Sequence, residues 1–407
     1  MTGPPPMSAD LVDSIYNNAA SMQRQGRYAE AEAQYARLLD YFPDSAALHY
    51  NIGLLLYAQD KFEASLEHYL QAMDAAGDDP DLLYNLGLCL QKCGRTGKAV
   101  LVYEELTRLA PGDVDGLYNL AGCHRELHDY DRAAEVLGRL LVLQPDHQAA
   151  TGGLAYLLHL QGKLDEACTR YCRLLELDPG HWTARHMVAA LRGERLGTAA
   201  DEYVRTVFNG YADGFEDSLV QGLGYRVPEG LRRGVGLLTG VGRRFDHLLD
   251  LGCGTGLVGA AFADICVSLT GVDLAGEMIA RARSKQLYHH LVIDGISPFL
   301  ATTEGRYDLV TLADVLIYLG DPEPLLAAVR HKTTDDALLC FSIETAETPT
   351  FCLQSTGRFA HCPDFIGRVA ARNGWAVRHD ETIRLRREGD GWIGGMLFFL
   401  AKDGDCH

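Results

Sequence analysis

The chain has 407 residues, of which 47% are hydrophobic and 23% charged, and its formal net charge at pH 7 is −18. This length suits two or three domains of ordinary size. Because nucleic-acid affinity rests on the neutralisation of phosphates, the acidic balance and the lack of a Lys/Arg run argue against a nucleic-acid partner. No apolar run in the sequence reaches the length of a membrane span, so we predict no membrane partner.

The first segment begins Met-Thr-Gly-Pro-Pro-Pro-Met and has neither the charge nor the apolar core of a signal peptide. We expect a disordered tail over 1–11. The eleven cysteines lack the dense spacing of a secreted disulfide scaffold. We therefore predict a cytoplasmic protein with reduced thiols. Paired cysteines such as Cys89 and Cys93 are interpreted as small hydrophobic residues, and no metal site is predicted.

The next part of the chain is repetitive. The dipeptide Tyr-Asn recurs every 34 residues, at Tyr16-Asn17, Tyr50-Asn51, Tyr84-Asn85 and Tyr118-Asn119. The period, together with turn signals such as Gly26 and Gly162 within the units, resembles that of tetratricopeptide repeats, which are stacked helix–turn–helix units. We predict an α solenoid of five repeats over 12–192, in which 181–191 forms a capping helix.

The asparagines of these dipeptides form a second pattern. In the family that the repeats resemble, this position points into the concave groove, which places Asn17, Asn51, Asn85 and Asn119 in one row. A carboxamide can donate to a peptide carbonyl and accept from a peptide N–H. The row therefore predicts a groove that binds a protein or peptide. The alternative is that Tyr-Asn is a consensus dipeptide that packs the array or docks it within the chain.

A linker is predicted over 192–199, followed by an aromatic helix. Apolar side chains from Tyr203 to Phe208 and Tyr211 follow helical spacing. We predict that a second domain occupies 200–404 and opens with helices over 201–240.

A glycine-rich segment follows in that domain. An apolar strand ends at Asp250 and leads into Gly252, Gly254 and Gly256, whose lack of a Cβ allows a sharp turn and close approach to a ligand. Gly254, Gly256 and Gly259 also satisfy the G-x-G-x-x-G pattern of nicotinamide-binding loops. That pattern expects its first glycine directly after the strand, and an acid just before it would repel a pyrophosphate. The acid suits a ligand with an ammonium group.

Three further apolar segments end in an acid, at Asp273, Asp294 and Asp314. With the glycine segment, this series resembles the class I S-adenosylmethionine-dependent methyltransferases. The resemblance implies an α/β Rossmann-like domain with a mostly parallel seven-stranded sheet, finished by an antiparallel hairpin over 375–402. It also implies S-adenosyl-L-methionine as cofactor.

The resemblance assigns cofactor roles to individual positions. Asp250 and the three glycines of the loop would meet the amino-acid end of the cofactor, and Asp273 the ribose hydroxyls. Asp294 would meet the adenine amino group, and Asp314 the floor of the site. The helix that opens the domain would act as a lid, with Tyr211 beside the cofactor.

Candidate substrate residues lie after the later strands, since open α/β sheets bind ligands beyond the carboxyl ends of their strands. They are Tyr318, Glu344, Arg358 and His361. The alternatives are that Glu344 bonds Arg358 and that His361 caps a helix over 364–373. The patterns that receive amide or adenine nitrogens, and those of protein arginine methyltransferases, are missing. We expect an oxygen, carbon or nitrogen acceptor with its own reactivity.

The combination of repeats, lid and catalytic domain resembles the tetratricopeptide-containing methyltransferases of bacteria. The first hypothesis is a methyltransferase whose repeats recruit a protein or peptide. A second is a small-molecule O-, C- or N-methyltransferase that uses the repeats for assembly. A third is a scaffold that binds cofactor without transferring methyl groups. The sequence leaves the oligomeric state open.

Overall fold

The computed structural model of the protein describes residues 7–211, 216, 219, 222–240, 242–388 and 391–403. The chain divides into two compact units, Met1–Asp178 and Pro179–His407. The described part of the first unit is helical, and the second unit combines helices with a sheet. This is the predicted order of a solenoid followed by an α/β domain.

The first unit consists, in its described part, of five consecutive helix pairs. Their bounds are α1 (Ala9–Arg24), α2 (Tyr28–Leu39), α3 (Ala46–Tyr57), α4 (Phe62–Ala76), α5 (Pro80–Lys92), α6 (Thr96–Leu109), α7 (Val114–Glu126), α8 (Tyr130–Leu143), α9 (Gln148–Leu160) and α10 (Leu164–Leu177). The first helix begins at Ala9, so 9–11 are helical where the sequence predicts a tail. Met7 also packs against the core of the first repeats.

The turn inside each repeat has one residue with a left-handed backbone. It recurs every 34 residues, with φ between 58° and 75°, at Gly26, Asp60, Gly94, His128 and Gly162. Glycine adopts this conformation without strain, whereas a side chain makes it costly. The second and fourth repeats therefore carry local backbone strain that the other three avoid.

Packing within a repeat depends on paired small and large residues. A Cβ on Gly53 would lie 2.6 Å from the Tyr69 ring, and a Cβ on Gly87 would lie 2.5 Å from the Tyr103 ring. Both tyrosine rings are fully buried. Glycine in the first helix of these repeats is thus required by the aromatic ring of the second helix.

The second unit contains the remaining elements. Its helices are α11 (Trp182–Leu191), α12 (Asp201–Tyr211), α13 (Val227–Thr239), α14 (Leu257–Phe262), α15 (Gly276–Ser284), α16 (Ile296–Thr302), α17 (Glu323–His331) and α18 (Pro363–Arg372), with a 3₁₀ turn at Leu316–Tyr318. Its strands are β1 (Phe245–Leu251), β2 (Cys266–Asp273), β3 (His290–Ile293), β4 (Tyr307–Leu312), β5 (Thr333–Thr345), β6 (Phe351–Leu353), β7 (Phe359–His361), β8 (Trp375–Glu388) and β9 (Gly391–Lys402).

The main sheet has the order β3-β2-β1-β4-β5-β9-β8. The first five strands are parallel, β9 is antiparallel to β5, and β8 pairs with β9 as the predicted hairpin. The described strands number nine where the resemblance implies seven, because β6 and β7 form an additional short pair at the end of β5. Each of these two strands has three residues, too few to show an alternating pattern in the sequence.

The helix predicted to cap the repeats, α11, belongs to the second unit. Ala189 and Ala190 are buried in one cluster with Tyr203 of α12 and Phe359 of β7. The imidazole of His186 stacks on Tyr203, with ring centroids 4.0 Å apart, and Nε2 donates to the Gly357 carbonyl at 2.8 Å. These contacts place the start of the second unit near residue 179, earlier than the predicted boundary at 200.

Candidate functional site

The glycine loop lies between the end of β1 and the start of α14. Gly252, Gly254 and Gly256 have φ of 73°, 52° and 91°, all in the left-handed region. A Cβ on Gly252 would lie 2.4 Å from Val315 Cγ2, whereas a Cβ on Gly254 would meet nothing within 4 Å. The loop is therefore packed on one side and open on the other, where a ligand can approach the backbone.

Asp273, at the end of β2, is tied directly to this loop. Its Oδ2 accepts the N–H of Gly254 at 2.8 Å, and its Oδ1 accepts the N–H of Ala275 at 2.9 Å. Burial raises the pKa of this carboxyl group, and backbone donors at Ala275, Gly254 and Leu274 oppose that shift. A carboxylate has about four acceptor positions, so Asp273 can accept further hydrogen bonds.

Asp250 is fully buried beneath the loop. Its Oδ2 accepts the hydroxyl of Tyr288 at 2.6 Å and its Oδ1 accepts the hydroxyl of Thr311 at 2.9 Å. Burial raises the pKa of Asp250 to about 7. This buried environment differs from the predicted one, in which Asp250 contacts an ammonium group directly. The side chain is held between the hydroxyls of Tyr288 and Thr311 and has no exposed surface.

The other two strand-end acids have different surroundings. Asp294 directly follows β3 and is half-buried, and its Oδ1 accepts the N–H of Gly295 at 2.8 Å. Asp314 follows β4 with a φ of 55°, and it exchanges hydrogen bonds of 2.8 Å with Ser342. Val315, the next residue, lies against Gly252.

An ion-pair network fills the ends of β5 and β8. Arg386 donates to Asp314 Oδ2 at 2.7 Å and also to Glu344. Arg358 donates to Glu344 at 2.8 Å and also to Glu388. Glu344 is 1% exposed, and burial raises its pKa. The predicted bond between Glu344 and Arg358 is confirmed, and Glu344 is committed to two guanidinium groups.

The sequence does not mark Arg386 as a candidate site residue. It lies in β8 among alternating polar residues, a pattern typical of an exposed edge strand. Its partners stand 42 and 72 residues away in the sequence, so only the pairing of β8, β9 and β5 brings them together.

His361 is fully buried in β7. Its Nε2 donates to the carbonyl of Gly320 at 3.0 Å, and burial lowers its pKa to about 4. The predicted capping role is wrong, because the N-cap of α18 is Cys362 and no side chain caps it. The imidazole is neutral at pH 7 and fixes the turn after β4.

Tyr318 ends that turn. Its ring meets the ring of Phe208 edge to face, with centroids 5.5 Å apart. Phe208 also packs against Ala275 and Met278 beyond β2. Helix α12 therefore crosses from the end of β2 to the end of β4, over the edge of the sheet where a lid helix is expected. The side chain of Tyr211 lies outside the described residues.

The asparagine row of the first unit is joined to the tyrosines. The Nδ2 of Asn51 donates to Tyr16 Oη at 2.8 Å and to the Ala47 carbonyl at 2.7 Å. The Nδ2 of Asn85 donates to Tyr50 Oη at 3.0 Å in the same way. Both amide hydrogens of Asn51 are thus used inside the array. Asn17 is exposed and Asn119 half-buried.

The described ranges contain neither a candidate metal cluster nor a helix suited to cross a membrane. No group of three His, Cys, Asp or Glu side chains stands close enough there to hold a metal ion. No helix in the same ranges is both long and apolar enough to cross a membrane.

Comparison with known proteins agrees with this architecture. Residues 249–339 match the family described as a methyltransferase domain. Residues 16–80, 55–114, 84–136 and 118–181 match the tetratricopeptide repeat family. The chain therefore combines tetratricopeptide repeats with a methyltransferase domain.

Individual relatives are distant. A ubiquinone biosynthesis O-methyltransferase of Glaesserella parasuis is 26% identical over 23% of this chain and 44% of its own length. The same-named protein of Xanthomonas euvesicatoria is 31% identical over 27% and 48%. The chain thus spans about half the length of the curated relatives it matches. Among solved structures, YrrB, a tetratricopeptide protein with an unusual peptide-binding site, is 19% identical, with a TM-score of 0.40 over 42% of this chain and 89% of its own.

Proposed function

We propose that this chain is an S-adenosylmethionine-dependent methyltransferase. The observation that carries the proposal is the bond between Asp273 and Gly254. It joins a strand-end carboxylate to a loop of left-handed glycines whose outer side is open. A nucleoside with two ribose hydroxyls and a charged amino-acid tail fits such a pair, since the carboxylate accepts from hydroxyls and the bare backbone admits the tail.

The remaining contacts follow from this placement. Gly252, Gly254 and Gly256 would line the amino-acid end, and Asp273 would accept the ribose hydroxyls. Asp294 would accept the adenine amino group, and Asp314 with Val315 would form the floor. Asp250 would act from below the loop, through its negative charge.

The cofactor, when bound, supplies a methyl group on a sulfonium that is already reactive. Alignment with the acceptor is then the main task of the protein. Glu344, Arg358 and His361 already have partners within the protein, whereas Phe208 belongs to the lid helix and Tyr318 contacts it. We propose that these two aromatic rings shape the acceptor pocket, and that the acceptor is nucleophilic without help from a buried base.

We further propose that the first unit recruits a protein or peptide. In the described part of the chain, Oδ1 of Asn51 and Oδ1 of Asn85 have no hydrogen-bond donor. The hydroxyls of Tyr16 and Tyr50 accept from these amides, so each retains its own hydrogen to donate. Each Tyr–Asn pair therefore offers one donor and one acceptor, which matches the carbonyl and N–H of an extended backbone.

Calorimetry with S-adenosylhomocysteine and NAD tests the cofactor. Binding of S-adenosylhomocysteine and not NAD is expected, and binding of NAD alone would contradict the proposal. For the acceptor, S-adenosylmethionine with a labelled methyl group is added to lysate with the purified chain. Label retained with protein supports recruitment by the repeats. Label that passes a small-pore filter favours the small-molecule alternative, and no transfer despite binding favours the scaffold.

A further inference from the structure

Three glycines around the candidate cofactor loop face one aromatic ring. Tyr288 precedes β3, and its ring carbons lie 3.0 Å from a Cβ built on Gly256, 2.6 Å from one on Gly259 and 2.9 Å from one on Gly271. A Cβ on Gly259 would overlap the Tyr288 ring, one on Gly256 would be tightly crowded by it, and one on Gly271 would meet Tyr288, Cys253 Sγ and Leu291 equally, all at 2.9 Å. The ring packs behind the loop, opposite its open side.

The hydroxyl of the same residue bridges both ends of the loop. It donates to Asp250 Oδ2 at 2.6 Å, at the end of β1, and accepts the N–H of Gly259 at 3.0 Å, in the first turn of α14. The N-cap of α14 is Gly256, which has no side chain to satisfy that turn. Tyr288 supplies the missing acceptor from a distant part of the chain.

We propose that Tyr288 is a positioning residue, whose hydroxyl holds the glycine loop in its ligand-binding form by joining Asp250 to Gly259. The expected effect of Tyr288 on ligand binding rests on the proposed function. Its effect on the loop does not, because both hydrogen bonds lie within the protein.

Electrostatics around Asp250 give the proposal a second consequence. The hydroxyls of Tyr288 and Thr311 stabilise the carboxylate, whereas burial and the charge of Asp273 oppose ionisation. Among the described residues, Cys253 and Tyr225 are further titratable groups near it. Removing the Tyr288 hydroxyl therefore favours the protonated form and raises the pKa of Asp250 further.

The test compares Tyr288→Phe with Tyr307→Phe. Tyr307 is also buried, but it begins β4, at the opposite end of the sheet from the loop. Within the described ranges its hydroxyl bonds only the side chain of Thr303, at 3.3 Å. Calorimetry with S-adenosylhomocysteine should show affinity about tenfold weaker for Tyr288→Phe, the scale of a hydrogen bond to a charged group. The control should stay within about twofold of wild type.

The pH dependence separates positioning from a general loss of stability. The negative charge of Asp250 attracts the ammonium group of the ligand, so wild-type affinity should fall as pH drops through about 7. In Tyr288→Phe the same fall should begin at higher pH, because the pKa of Asp250 is raised. In Tyr307→Phe the midpoint should not move.

Hydrogen exchange of the ligand-free protein gives a readout independent of the cofactor. Amides of 252–259 should exchange faster in Tyr288→Phe, and at wild-type rates in Tyr307→Phe. Unchanged exchange in Tyr288→Phe would overturn the inference. If wild type binds no S-adenosylhomocysteine, the proposed function fails, while the exchange rates still decide the role of Tyr288.

Thr311→Val serves if Tyr288→Phe does not fold. It removes the other donor to Asp250 and leaves the bond to Gly259 intact. The midpoint of affinity against pH should rise while the exchange of 252–259 stays near wild type. A midpoint that does not move would rule out the electrostatic consequence, and faster exchange of 252–259 with the Tyr288 bonds intact would overturn the positioning role.

Discussion

Asn85 donates its side-chain amide to the hydroxyl of Tyr50, in the preceding repeat, at 3.0 Å. The bond makes the asparagine row part of the packing between neighbouring repeats as well as a candidate ligand surface. The two roles use different atoms, since packing takes Nδ2 and leaves Oδ1. Both of the alternatives derived from the sequence can therefore hold for the same residues.

The double variant Asn51→Ala with Asn85→Ala should lower stability as well as weaken capture of a polypeptide. It removes two hydrogen bonds between repeats, each worth about 0.5–1.5 kcal/mol, and thermal denaturation of the full chain measures the sum. Asn17→Ala is the control, because this asparagine is exposed in the first repeat. A double variant that melts like wild type would show that the bonds to Tyr16 and Tyr50 contribute nothing.

Asp273→Ala should abolish most binding of S-adenosylhomocysteine. Loss of hydrogen bonds to the ligand costs about 1–3 kcal/mol, and the variant also frees the Gly254 and Ala275 amides that shape the loop. Calorimetry measures the effect. Asp264→Ala is the matched control, since this acid forms an exposed pair with Arg232 and should leave affinity unchanged. Equal affinity of both variants would contradict the assignment of Asp273.

Asp60→Gly should stabilise the protein. Asp60 is exposed and holds a φ of 58°, at the phase where other repeats have glycine. Relief of this strain is worth about 0.5–1 kcal/mol, reduced by the greater freedom of glycine in the unfolded chain. Chemical denaturation measures the gain. Gly94→Ala at the same phase should have the opposite sign, and stabilisation by both changes would show that backbone strain is not the cause.

Stability should fall in acid partly because of His361. Its folded pKa is depressed to about 4, so the unfolded state binds the proton first as pH drops below 6.5, and stability is lost over this window. The contribution is about 1–2 kcal/mol between pH 7 and pH 5. Asp250 acts in the opposite direction, since its folded pKa is raised, and stabilises as pH falls from 7 towards 4.

The difference between wild type and His361→Gln isolates the imidazole from Asp250. The variant keeps a donor for the Gly320 carbonyl and should be less stable at pH 7, with a flatter decline towards pH 5. Denaturant titrations at several pH values measure this. Parallel profiles for the two proteins would refute the contribution of His361.

Most of the fold could be predicted from local patterns. The 34-residue period sets the helix pairs, and the strand-end acids identify β1 to β4 in order. The place of Asp250 could not be predicted, because its partners Tyr288 and Thr311 stand 38 and 61 residues away in the sequence. The contact of Tyr288 with three glycines likewise depends on the register of separate elements.

The candidate substrate residues were predicted less well, because their partners also come from distant parts of the chain. Glu344, Arg358 and His361 are polar residues near strand ends, which in sequence is typical of a ligand site. In the structure they meet partners contributed by β8 and by the turn after β4. Sequence spacing cannot distinguish a polar group that faces a ligand from one that is satisfied inside the protein.

Hydrogen bonds of the segment before residue 200 limit where the methyltransferase domain can be joined to another protein. The amides of Gly320 and Asp321 donate to the carbonyl of Gly197, and the amide of Ala199 donates to the carbonyl of Tyr318. A chimaera joined at residue 200 would discard these bonds and the α11 cover of Phe359. The transferable module therefore begins near residue 179. It includes α11, the helix that the sequence predicts as the cap of the repeats.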